Sequence, residues 1–331
     1  MKEQQSKWFN GVDTLRFVLA MFVLLSHLEN PYLTYLHQTA LYNIFANLFD
    51  GTAAVIGFFI ISGFVIHYPN RKGIPDLKKF WIRRYVRILL PLVLIIAAGL
   101  YFGHPEKAVV WSLICELCYY TIYPFLSRAR VSWRQWWLLS CILATVLIVC
   151  GARNDLRAFV QHNGEHYHSY FWQLGPLLTW AVGLPVWLAG VLLAERIDRA
   201  DTPSRIFLIL CRVLVLTLGW LATFARGHWF FSYIFSMPLL APVLYVWLLA
   251  EIASARQRKL PKLTERLGRF SYSIYLCHPL IYLLLKKIPG DPVWRYPLDI
   301  LAIVALSWLF YLVAEQPAHR LAIYLTTRKK I

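Results

Sequence analysis

Apolar runs of membrane-spanning length alternate with short polar segments along almost the whole chain. A helix needs about 20 mostly apolar residues to cross a bilayer core. Ten stretches come near that length: 12–28, 48–67, 88–102, 109–126, 136–150, 174–194, 206–225, 229–250, 270–285 and 297–313. The third, fourth and fifth are short or weakly bounded, so the pattern predicts about ten spans. The longest non-apolar segments are 68–87, 151–173 and 251–269, none of them with the make-up of a soluble domain or a linker. The expected fold class is therefore an all-α polytopic membrane protein, with residues 1–331 forming a single transmembrane domain.

Composition agrees. The chain is 59% hydrophobic and 15% charged, against about 25% charged in soluble proteins. A net charge of +17 could suggest nucleic acid, but the basic residues fall in alternate loops rather than on one soluble surface. With a cytoplasmic N-terminus, 25 Lys and Arg lie on the cytoplasmic side and seven outside, Arg16 and Arg212 being within spans. Such a bias is what the positive-inside rule demands, and it predicts both termini in the cytoplasm. The segment 12–28 lacks a small-residue cleavage site after it, so the first span is expected to stay as a signal anchor. Cys115 and Cys118 have C-x-x-C spacing without a second ligand pair, and apolar packing explains them better than metal. The six cysteines lie in or at the edge of spans, so neither a disulfide nor a metal site is expected.

A few polar residues inside the apolar runs carry the candidate chemistry. Arg16 and His27 sit eleven residues apart in the first run, roughly 16 Å along a helix. An ionisable side chain at membrane depth costs at least ~2.5 kcal/mol and usually faces a cavity, pairs, or does chemistry. Snorkelling of Arg16 to one surface and capping by His27 at the other is the plainer reading, and position alone leaves the two open. The segment FWIRRYVRILLP places Arg83 and Arg84 four and three residues before Arg87, on one helical face. Arginines suit phosphate, although the same cluster could be an anionic-lipid anchor. Ser62 and Gly63, in GFFIISGFVIH, are small enough to let helices approach closely. Glu116 in WSLICELCYY should face a partner such as His27, Arg16 or a substrate hydroxyl, or form a structural ion pair. His278, before Pro279, could line the same outer cavity or bond a carbonyl freed by the proline. His162, Glu165, His166 and His168 match no standard zinc spacing, and a solvated loop explains them better. The nearby Tyr167, Tyr170, Phe171 and Trp172 fit an interfacial belt or a sugar-stacking surface.

Taken together, GVDTLRFVLAMFVLLSH, GFFIISGFVI, FWIRRYVRILLP, WSLICE and FSYSIYLCHPL resemble, in order, the acyltransferase family 3 membrane proteins. That family includes bacterial O-antigen and exopolysaccharide O-acetyltransferases. The resemblance runs from Gly11 to about Arg320, and it is similar to the form without a fused SGNH domain. It implies that His27 is the family's essential first-span histidine and Arg16 its partner. It also implies that Arg84 and Arg87 are the Arg-x-x-Arg pair linked to acyl-CoA use, and that Glu116 is the glutamate of the Trp-Ser-Leu-x-x-Glu segment. In the family an aromatic usually stands near the last motif, where this chain has Cys277 before His278.

The expected activity is O-acyl transfer in the cell inner membrane. Acetyl-CoA would be the cytosolic donor substrate, and a cell-surface or lipid-linked glycan the acceptor. No tightly bound cofactor, metal or nucleic acid is implied. His27 would act as general base, with Glu116 orienting its imidazole, or an acyl-His intermediate would form. The alternatives are a succinyl-CoA or other acyl-CoA donor, and a carrier or flippase of lipid-linked sugar.

Overall fold

The computed structural model describes residues 11–37, 39–104, 109–165, 167–168, 174, 178–257 and 262–327. The described residues are helical, without strands. In chain order the helices are α1 (Val12–His27), α2 (Ala40–Ala46), α3 (Gly51–Asn70), α4 (Leu77–Tyr101), α5 (Val110–Arg128), α6 (Trp133–Gly151) and α7 (Arg153–Gln161). They continue with α8 (Thr179–Arg196), α9 (Arg205–His228), α10 (Tyr233–Ala255), α11 (Lys262–Gly268), α12 (Ser271–Leu285), α13 (Pro292–Phe310) and α14 (Gln316–Thr327). Helix-only architecture follows from the apolar surroundings, where each backbone polar group must be satisfied within its own segment.

Seven helices among the described residues are long and apolar enough to cross a membrane, against the ten spans expected. They are α2 running on into α3, α4, α6, α8, α9, α10, and α13 running on into α14. The difference lies in short or polar elements. Helix α1 has 16 residues and α12 has 15, which is about 24 Å or less of rise against a core of about 30 Å. Helix α5 carries Glu116 and three tyrosines, which lower its hydropathy. These three carry His27, His278 and Glu116, so the elements weakest as spans are rich in candidate chemistry.

The boundaries also move. The third span was expected to start at residue 88, but α4 begins at Leu77, so the Arg83–Arg87 cluster lies within the helix that enters the bundle. Asp76 caps it by accepting from the Lys79 N–H. The last span was expected to end at 313. Instead the chain passes through a π-helical turn, Tyr311–Glu315, into α14. The non-apolar segment 151–173 contains α7.

Burial sorts the helices into an inner and an outer set. In α8 72% of the apolar window is buried, and in α6 only 11%. Helix α3 packs most extensively against α8. Gly63 and Gly190 make this possible, because a Cβ on Gly63 would overlap the Trp187 carbonyl and one on Gly190 the Ile60 carbonyl. Helix α1 packs on α3, α11 and α12, placing Arg16 and His27 toward the inner set.

Candidate active site

Five of the residues singled out in the family-like motifs, Arg16, Ser62, Arg84, Arg87 and Glu116, line one cavity. Its walls hold Arg16 from α1, Ser62 from α3, Arg84 and Arg87 from α4 and Glu116 from α5. Tyr120, one helical turn after Glu116, joins them. The cavity continues at both ends. It shares Val65, Arg84 and Arg87 with a basin that also contains Arg83, Lys79 and His319. It shares Val55 and Tyr275 with a vestibule lined by His27, Asp50, Trp111, Arg226 and Tyr233. Three spaces thus adjoin one another from the arginines to the histidine.

The histidine end has a defined proton arrangement. His27 Nδ1 lies 2.8 Å from the Val23 carbonyl oxygen, which can only accept, so Nδ1 carries the hydrogen. His278 Nδ1 lies 3.1 and 2.9 Å from the carbonyls of Ile274 and Tyr275, so it is protonated as well. The remaining nitrogen of His278, Nε2, therefore offers a lone pair. It sits 3.3 Å from His27 Nδ1 and accepts a second branch of that N–H. The two rings tilt against each other with centroids 5.0 Å apart. His278 is fully buried, whereas His27 faces the vestibule. The free lone pair of His27 is then on Nε2, the form a general base requires.

Glu116 has a different neighbourhood from the one expected. Its Oε1 accepts from Ser62 Oγ at 2.7 Å and from the Tyr120 hydroxyl. Trp187 Nε1 donates to Ser62 Oγ at 3.2 Å. Orientation of the His27 ring comes from Val23 and His278, while Glu116 holds a hydroxyl cluster in the adjoining cavity. Arg16 stands 3.8 Å from Asp13.

At the other end the arginines divide. Arg83 Nε donates to Thr326 Oγ1 of α14 at 2.8 Å and faces the basin. Arg84 lies over the Phe80 ring, 5.9 Å from its centroid. Arg87 is 3.9 Å from Glu315 Oε1, and Ser273 Oγ donates to Glu315 Oε2 at 2.7 Å. Glu315 was missed in the sequence because it falls two residues past the expected end of the last span. It is the final residue of the π-helical turn, a local distortion frequent at functional sites. Such a turn re-aims a side chain, and here it brings a buried carboxylate to Arg87.

Cys115, Cys118, Cys141, Cys150, Cys211 and Cys277 are free thiols. His166, Tyr170, Phe171 and Trp172 lie outside the described residues. His168 donates its backbone N–H to Asp155 Oδ1 at 3.0 Å. Among the described residues no cluster of His, Cys, Asp and Glu could hold a metal ion.

No solved structure matches the chain. A protein described as Nodulation protein 10, from Rhizobium leguminosarum bv. viciae, is 25% identical over 387 aligned residues, which cover 99% of this chain and 98% of that protein. A family model described as an acyltransferase domain matches residues 9–312, taking in every residue named above for the three adjoining spaces except His319, and the chain belongs to that acyltransferase family.

Proposed function

We propose that this membrane acyltransferase moves an acetyl group from cytosolic acetyl-CoA to a hydroxyl of a cell-surface or lipid-linked glycan, with His27 as general base. The observation that carries the reading is the adjoining series of spaces from Arg84 and Arg87 to His27. A phosphate-rich donor fits the basic end, and a long flexible acyl-bearing arm fits a narrow inner cavity. The vestibule, with polar and aromatic walls, suits a hydroxylated acceptor.

The chemistry is an acyl transfer. The acceptor hydroxyl gives its proton to His27 Nε2 while its oxygen attacks the thioester carbonyl. The tetrahedral intermediate collapses with loss of the CoA thiolate, which takes the proton back from His27. As imidazolium forms, the Val23 carbonyl and His278 Nε2 hold the Nδ1–H in place. Glu116, Ser62 and Tyr120 form a polar wall along the donor arm.

In this reading α1, α3, α4, α5, α6, α8, α9, α10, α12 and α13 with α14 make ten spans in the inner membrane. Both termini and the arginine end are cytoplasmic, and the His27 end faces outward. The 25-to-7 division of basic residues supports it.

The test is mass spectrometry of surface glycans from cells carrying the wild type, His27→Ala, or neither. The wild type should add one acetyl mass, and His27→Ala should lower it at least about 100-fold. Full acetylation by His27→Ala would remove the base from the mechanism.

A further inference from the structure

Three residues that line the His27 vestibule each hold a buried polar atom with no hydrogen-bond partner: Asp50 Oδ2, Thr223 Oγ1 and Arg226 Nε. Thr223 and Arg226 share a face of α9 with Gly219, four and seven residues along from it. A Cβ on Gly219 would lie 3.8 Å from Asp50 Oδ2, so this face looks directly at the aspartate. Other atoms of Asp50 and Arg226 are engaged. Asp50 Oδ1 accepts from the Thr52 N–H at 2.8 Å and from the Thr52 hydroxyl. Arg226 Nη2 donates to Thr52 Oγ1 at 2.7 Å and stands 3.6 Å from Asp50 Oδ1. Thr52 thus anchors both charged groups and leaves one edge of each unused.

Unpaired buried polar atoms are costly, and three around one space call for a ligand that supplies what they lack. The missing partners are a donor for Asp50 Oδ2, an acceptor for Arg226 Nε–H, and either for Thr223. A carbohydrate hydroxyl is both donor and acceptor. The aspartate offsets the arginine charge, so the set favours neutral hydroxyls over a phosphate, which Asp50 would repel. Beside it Trp111, half-buried, presents aromatic surface, with the buried Tyr233 ring edge to face against it at 5.9 Å. Aromatic faces of this kind pack against the apolar side of a sugar ring.

We infer that Asp50, Thr223 and Arg226 bind adjacent hydroxyls of one sugar residue of the acceptor, with Trp111 as its stacking wall. The inference rests on the reading that the vestibule receives a glycan, and it names the side chains that select it. Sugar preference then resides in α9 and the start of α3, apart from the base on α1.

The test reads binding without acyl transfer. The full chain in nanodiscs free of sugar detergent is titrated with methyl glycosides of glucose, galactose, mannose and rhamnose, followed by saturation-transfer NMR. At least one glycoside should bind. Thr223→Val and Arg226→Lys should each weaken it roughly fivefold to tenfold, the effect of one lost hydrogen bond to a buried group. Thr223→Val removes a hydroxyl that has no partner in the protein, so its thermal stability should equal or exceed the wild type. Asp50→Asn keeps the Oδ1 contacts to Thr52 but makes the free edge a donor, and it should abolish the same signal. No binding by any glycoside, or binding indifferent to all three substitutions, would overturn the site. Binding in a protein that transfers no acetyl group to glycan would instead sink the acetylation reading and leave the site standing.

Discussion

At the residue scale, three main-chain carbonyls decide which nitrogen of His27 can act. Val23 takes the Nδ1–H, and His278, tautomerised by Ile274 and Tyr275, presents only a lone pair to it. His278→Phe keeps a ring in the buried site but removes that acceptor. The expected outcome is a drop in kcat of roughly tenfold with the KM for acyl-CoA unchanged. A fall in KM and kcat together, or no change, would separate His278 from the reaction. Each histidine was visible in the sequence as an ionisable group inside an apolar run. Their pairing across 251 residues was not, because it depends on how α1 and α12 pack and no local pattern records that. For Glu116 the sequence pointed to His27, Arg16, a substrate hydroxyl or a structural ion pair, and not to hydroxyls of the protein itself. The structure brings it to the hydroxyls of Ser62 and Tyr120, the latter one turn away on its own helix.

At the element scale, the arginine cluster and the close helix crossing have different degrees of legibility. Helical spacing alone put Arg84 and Arg87 on one face, and the structure has both lining the inner cavity. Replacing both with Ala should weaken acyl-CoA binding in detergent at least tenfold while leaving glycoside binding intact. Unchanged CoA affinity would return them to lipid anchoring. The carboxylate behind Arg87 was hidden, since a π-helical turn breaks the 3.6-residue period on which sequence patterns rest. Glu315→Gln should weaken acyl-CoA binding a few-fold, by freeing Arg87 to move. Gly63 was read as a point of close approach, and it is one. Its counterpart, Gly190, was unremarked, because a glycine in an apolar run looks the same whether or not a neighbour touches it. Gly190→Ala would drive a methyl into the Ile60 carbonyl, and ~1–3 kcal/mol of overpacking cost is expected. Thermal unfolding of the purified protein would reveal it as a lowered midpoint, and an unchanged midpoint would mean that α3 and α8 can separate freely.

At the scale of the whole molecule, the central claim is that donor and acceptor enter from opposite ends of a bundle and meet at His27. The alternation of apolar runs and polar segments carried the all-helical, membrane-spanning architecture in the sequence. The number of spans was less secure, because the helices that carry Arg16, Glu116 and His278 are shortened or made polar by the groups they deliver. The joining of separate spaces was beyond reach, since cavities arise only from packing. The most direct measurement uses sealed inverted membrane vesicles with their cytoplasmic face outward and the glycan acceptor confined to the lumen. Radiolabelled acetyl-CoA is added outside. The account predicts label on the lumenal glycan with the wild type, and none with His27→Ala or with Arg84 and Arg87 both replaced by Ala. Label that appears only when acetyl-CoA and glycan share one side of the membrane would contradict it.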